Sequence, residues 1–86
     1  MKKTQTNKKM SSAEIFAENL RGLMAMKKVS PIEMQEYMCI SSATYYKRMR
    51  RPYEFTLSNV ESAAKRLGVS AADMMGRVMT VEATTA

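Results

Sequence analysis

The sequence predicts an all-α fold, five short helices packed as one compact domain, on three observations. Apolar residues recur at three- and four-residue spacing along most of the chain. A serine or threonine stands before each such segment, where its side-chain oxygen can accept from the first helical turn. No run of strands and no internal repeat is present; only residues 78–81 alternate, and briefly.

The first helix is expected over residues 12–28. Ser11 and Glu14 have capping-box spacing, in which each side chain bonds the other residue's backbone N–H. Phe16, Leu20, Leu23 and Met24 form the inward face, with Ala13 and Ala17 beside it. Arg21, Lys27 and Lys28 fall toward solvent, and the two lysines suit the negative end of the helix dipole. Val29 turns the chain. Ser30 and Glu33 repeat the capping-box spacing, and Pro31 occupies the first helical position, where its missing N–H costs nothing. That second helix, over residues 31–38, turns Met34 and Met38 inward, with Ile32 and Tyr37 partly covering the core.

After a break at Cys39 and Ile40, Ser41 caps a third helix over residues 42–49, with Tyr45 and Met49 inward. Pro52 ends it, because the residue before a proline avoids the helical region. The fourth helix opens at Thr56 or Leu57, carries an apolar stripe of Leu57, Val60, Ala64 and Leu67, and stops at Gly68, which suits a left-handed cap. Val69 packs down. Ser70 then caps a short fifth helix, 71–76, with Asp73 at its third position. The organisation expected is a flexible basic arm over 1–10, a domain over 11–77 and a tail over 78–86.

The chain has 86 residues and a formal net charge of +6. A core of that size stabilises by only about 3–5 kcal/mol, so self-association is an expected aid. The charge favours an anionic partner, nucleic acid before a membrane surface. One cysteine and no histidine leave no intrachain disulfide and no zinc set, which fits a reducing cytoplasm. No apolar run approaches the ~18 residues that span a bilayer, and no apolar stretch follows the N-terminal lysines as in a signal peptide. No membrane partner and no small-molecule ligand is expected.

The third helix carries the functional signal. It begins with small polar residues, Ser42, Ala43 and Thr44, and ends in Lys47, Arg48, Arg50 and Arg51. A slim start and a cationic end suit the major groove of double-stranded DNA. With Tyr45 and Met49 facing the core, the opposite ridge is Ser42, Ala43, Tyr46 and Lys47, the candidates for base contacts. Lys47 can donate to guanine, Ala43 can pack on a thymine methyl, and Ser42 can bond in either sense. Ser30 and Ser41, at helix N-termini, are candidates for phosphate contacts. Arg48, Arg50, Arg51 and Tyr53 join them on the rim.

The segments SPIEM, CISSATYYKRMRRP, FTLSNVESAAKRLGVS and SAADMM, in that order, resemble the lambda-repressor-like (Cro/repressor, Xre-type) helix-turn-helix domains, and SATYYKRMRRPYEFTL looks most like small prophage-type regulators. The resemblance covers residues 14–75. It implies a five-helix domain whose second and third helices form the motif, a sequence-specific transcriptional regulator that represses by promoter occlusion, and a homodimer at least on DNA. The chain departs from that pattern at Gln35, where a small residue is usual, at Cys39, where glycine is usual, and at Pro31, where a polar phosphate-touching glutamine is common. Met24 and Met49 stand where many members pair an arginine with a glutamate. Exchanging both partners of a buried ion pair for apolar chains is often neutral, whereas exchanging one is costly. The two methionines are therefore expected to touch.

Two other classes compete with the regulator. A protein-interaction module, a phage-type adaptor or inhibitor, would reuse the same fold; a charge-driven binder would show no preferred site. An enzyme is not expected. There is no histidine, Cys39 has no evident base, the carboxylates are not paired, and no glycine-rich phosphate loop exists; no cofactor and no metal are implied. Ten methionines are many for this length. Met24, Met34, Met38, Met49 and Met74 suit a core-filling role, and Met75 and Met79, with Val78 and Val81, are candidates for a homodimer contact.

Overall fold

The computed structural model describes residues 10–79. The basic arm expected over 1–10 lies outside them except for Met10, as does most of the tail, including Val81. Among these residues five α-helices follow one another: α1 Ser12–Lys27, α2 Pro31–Met38, α3 Ser42–Arg50, α4 Leu57–Leu67 and α5 Ala71–Gly76, with a 3-10 turn Pro52–Glu54 between α3 and α4. No strand occurs among the described residues.

Every N-terminus is capped by the hydroxyl expected of it: Ser11, Ser30, Ser41, Thr56 and Ser70 each accept from the backbone N–H three residues on. At Ser11 and Thr56 the capping box is complete, through Glu14 and Asn59. At Ser30 only half of it forms. The Glu33 carboxylate leaves the helix start, and its Oε2 accepts from Nε and Nη2 of Arg66, at 2.7 and 2.6 Å. A charge-assisted two-point bond outweighs one bond to an exposed N–H, and it ties α2 to α4.

The C-termini of α1, α2 and α4 share a second device. Lys28, Cys39 and Gly68 are left-handed, with φ of 59°, 60° and 76°. The next residue's N–H reaches back five residues, Val29 to Met24, Ile40 to Gln35 and Val69 to Ala64, at 2.9–3.1 Å. This is the Schellman pattern. Each left-handed residue precedes a β-branched apolar residue and then the serine that caps the next helix. Lys-Val-Ser, Cys-Ile-Ser and Gly-Val-Ser are thus one connector used three times. The apolar middle residue anchors it: Val29 is buried, and Ile40 and Val69 pack against the core.

The core is Phe16, Leu20, Leu23, Met24, Val29, Met34, Met38, Tyr45, Val60, Ala63, Ala64, Leu67 and Met74. Helix α1 packs on α5, α4 and the 3-10 turn, and α2 lies on α4. Phe55 closes one end, edge-on to Phe16 with ring centroids 5.0 Å apart. Asn19, fully buried, donates to the carbonyls of Met74 and Arg77 at 3.0 and 2.7 Å and accepts from the Met79 N–H at 2.7 Å. It fastens the chain beyond α5 to the middle of α1.

Several expectations need correction. Helix α1 ends at Lys27, because Lys28 takes the left-handed cap, and α3 runs one residue further, to Arg50. Ile32 and Leu57, expected to cover or fill the core, are 65% and 62% exposed. Both stand in the first turn of their helices. Tyr37 is exposed too, and lies under the Arg66 guanidinium at 5.8 Å rather than over the core. Apart from these corrections, Met75 and Met79, nominated for a homodimer contact, pack partly against the chain's own core and stay partly exposed.

Candidate functional site

Helix α3 is held to the body by few side chains. Of its nine residues only Tyr45 is buried, and the helix packs chiefly on α2 and the 3-10 turn. The Tyr45 ring enters the core, and its hydroxyl donates to Met24 Sδ at 3.5 Å. Burial pushes the Tyr45 phenol above its usual range; Tyr46 adds to the rise and Arg21 opposes it. Met49, one turn on, packs against the core edge. The remaining face is open: Ser42, Ala43, Tyr46 and Lys47 are all exposed. Tyr46 stands edge-on to Tyr45, centroids 5.1 Å apart, which steadies the outer ring without burying it.

The turn between α2 and α3 carries a bond that the sequence does not announce. Ser42 Oγ donates to Gln35 Oε1 at 2.6 Å. Gln35 is only 7% exposed, and its Nε2 is buried without a partner among the described residues. A buried donor left unmade costs about 1–3 kcal/mol. Gln35 stands where a small residue was the expected pattern, so its amide fills the seam between the two helices and reaches the first residue of α3.

The nominated rim residues divide. Ser30 and Ser41 spend a lone pair on their own helices, and the Ser41 hydroxyl proton goes to Thr44 Oγ1 at 3.1 Å. At α3 the outward groups are therefore chiefly the backbone N–H groups of Ser42 and Ala43; at α2 Pro31 offers none and that of Glu33 is taken, which leaves the Ile32 N–H and the Ser30 hydroxyl proton. Arg48 turns inward: its guanidinium donates to Asn59 Oδ1 at 2.7 Å, while the same oxygen accepts the Thr56 N–H. It joins the end of α3 to the start of α4. Lys47 and Arg51 both lie beside Glu54, at 3.7 and 3.6 Å. These pairs are exposed and long, the kind worth about 0–1 kcal/mol, and a phosphate can take Glu54's place. Arg50 and Tyr53 are exposed, with no ion-pair partner for Arg50 among the described residues.

Beside the ridge lies an apolar cleft of about 420 Å³ between α1 and α3, with Arg21, Met24, Val29, Tyr45, Tyr46 and Met49 in its walls. Met24 and Met49 thus lie on the same side of the domain and face one cleft.

The sequence reading missed Asn19 and the bonding roles of Gln35 and Asn59; Gln35 stood out only as a departure from the usual small residue. Asn19 gave one signal, a polar residue three positions after Phe16 on an otherwise apolar stripe. Asn59 has cap spacing from Thr56, which does not announce it as the seat for Arg48.

No protein-family model matches the chain, and neither a curated protein nor a solved structure matches it. Among the described residues no helix is long and apolar enough to cross a membrane, and no group of three or more acidic, cysteine or histidine side chains gathers to hold a metal ion.

Proposed function

We propose that this protein is a sequence-specific double-stranded-DNA-binding transcriptional regulator, a repressor acting by promoter occlusion, in which α2, the Cys39–Ser41 connector and α3 serve as a lambda-repressor-like helix-turn-helix. The observation that carries the reading is the exposed ridge of α3. Ser42, Ala43, Tyr46 and Lys47 are exposed on a helix with one buried residue, and Lys47, Arg50 and Arg51 gather at its far end. A ridge of small residues leading into longer polar ones fits a major groove, and flanking cations suit the phosphates on either side. Two copies on two half-sites about one helical turn apart would double the contact area of so short a helix.

Selection of bound duplexes from a random library, followed by titration at two salt concentrations, tests this function. A regulator yields an enriched motif bound far more tightly than random duplex, over a salt-dependent background. Enrichment of nothing above background leaves a charge-driven binder.

The second reading is a protein-interaction module, an adaptor or inhibitor. The apolar cleft between α1 and α3, with exposed Ile32 and Leu57 elsewhere on the surface, favours it. Such a protein binds no duplex appreciably at either salt concentration.

A further inference from the structure

We infer that Gln35, buried at the seam of α2 and α3, fixes the hydrogen-bonding sense of Ser42, so that Ser42 selects a base presenting an exocyclic amino group, adenine N6 or cytosine N4. The inference rests on the DNA-reading role of the α3 ridge and names what one position of that ridge reads.

A serine hydroxyl has one proton and two lone pairs, and by itself it bonds donors and acceptors alike. Here the proton is committed. The 2.6 Å separation between Ser42 Oγ and Gln35 Oε1 is the length of an O–H···O bond; an N–H···O bond is typically about 2.9 Å. The amide oxygen therefore faces Ser42, and Nε2 points into the packed seam, where it has no partner among the described residues. Gln35 is almost wholly buried, so its amide is not free to swing outward with solvent. Ser42 is the first residue of α3 and exposed. What it turns toward a ligand is lone pairs only.

In the major groove lone pairs discriminate. Adenine and cytosine present an amino donor, whereas guanine and thymine present acceptors at the matching edge. An acceptor-only Ser42 gains a bond with the first two and meets electrostatic repulsion from the others. Gln35 is in this sense a positioning residue, and Ser42 the group that touches the base.

The test compares selections from one random duplex library for the unaltered chain, Ser42→Ala, Gln35→Leu and Gln35→Glu. The unaltered chain is expected to favour adenine or cytosine at one position by about fivefold to tenfold, the worth of one net hydrogen bond. Ser42→Ala, a surface change, removes that preference and leaves the rest of the motif. Gln35→Leu keeps the bulk but frees the hydroxyl proton, so the same position relaxes to accept guanine and thymine. Gln35→Glu keeps an acceptor toward Ser42 and retains the preference. A merely structural role for Gln35 would weaken binding to all sequences alike without changing the base chosen. If a motif is enriched but its base identities are unmoved by Ser42→Ala and Gln35→Leu, the inference fails and the regulator reading stands. If the unaltered chain enriches no motif, both fall together.

Discussion

Tyr45 is the pivot of the candidate site, because it is the one side chain of α3 sunk in the core and its neighbour Tyr46 is the one aromatic on the ridge. Its phenol, raised by burial, ionises later in the folded protein than in the unfolded chain. The neutral form is thus favoured by folding: the contribution is complete below the ordinary tyrosine value of 10.0 and is lost as pH climbs through the folded value. Urea midpoints measured across the alkaline range should fall above about pH 10, and Tyr45→Phe should flatten that fall. Two cations on the same helix separate the duties of the ridge. Lys47→Ala should cost about 1–3 kcal/mol on an enriched duplex and little on random DNA. Arg50→Ala should weaken both alike and lower the salt slope by about one unit. Competition binding on the two duplexes reads the difference, and equal losses for Lys47→Ala would remove it as a base reader. At this scale the sequence told a good deal about exposure and little about partners. Ser42, Ala43, Tyr46 and Lys47 follow from helical periodicity once Tyr45 is placed inside. The bonds of Gln35 to Ser42 and of Arg48 to Asn59 depend on how helices meet, which periodicity does not encode.

The helices owe their limits to local chemistry, so these were the most legible part of the chain. A hydroxyl cap needs only its own next turn, and all five caps formed. The half-formed box at Ser30 shows where local rules yield: Arg66, 33 residues away in sequence, offers Glu33 a stronger partner. The three connectors make a sharper point. Left-handed backbone costs a non-glycine residue about 1–2 kcal/mol, and the chain accepts that cost at Lys28 and Cys39 but avoids it at Gly68. Lys28→Gly and Cys39→Gly should each therefore stabilise, by about 1 kcal/mol, and Gly68→Ala should destabilise by a similar amount. At Gly68 a methyl group meets nothing closer than Lys27 Nζ at 4.0 Å, so the loss would be conformational rather than steric. Chemical denaturation of the three variants checks the set. A destabilised Cys39→Gly would mean that the thiol side chain contributes packing its exposure does not suggest.

For the whole molecule, the question is how five short helices hold one arrangement with a modest core. Long-range polar ties supply part of the answer: Glu33 to Arg66 links α2 with α4, Arg48 to Asn59 links α3 with α4, and Asn19 links α1 with the end of α5. Asn19 is the least replaceable, since it satisfies two carbonyls and one N–H from inside the core. Asn19→Ala should cost about 2–4 kcal/mol, through buried groups left unpaired, and should expose the Met79 amide to rapid hydrogen exchange. A loss of that size removes most of the stability of a domain this small. Of these ties only that of Arg48 reaches α3, and it leaves the ridge uncovered. The fold class was readable because pattern, caps and connectors agree along the chain; the ties were not, because each joins residues 11 to 60 positions apart.

The central claim is that the outer face of α3 enters a DNA groove. Backbone amide shifts of the labelled protein, recorded while a selected duplex is titrated in, test it most directly. The expected result is a cluster of changes over residues 41–51, with the Tyr46 ring moving and the α1–α5 face still. Shifts gathered on the α1–α5 face, with the ridge unmoved, would contradict the account.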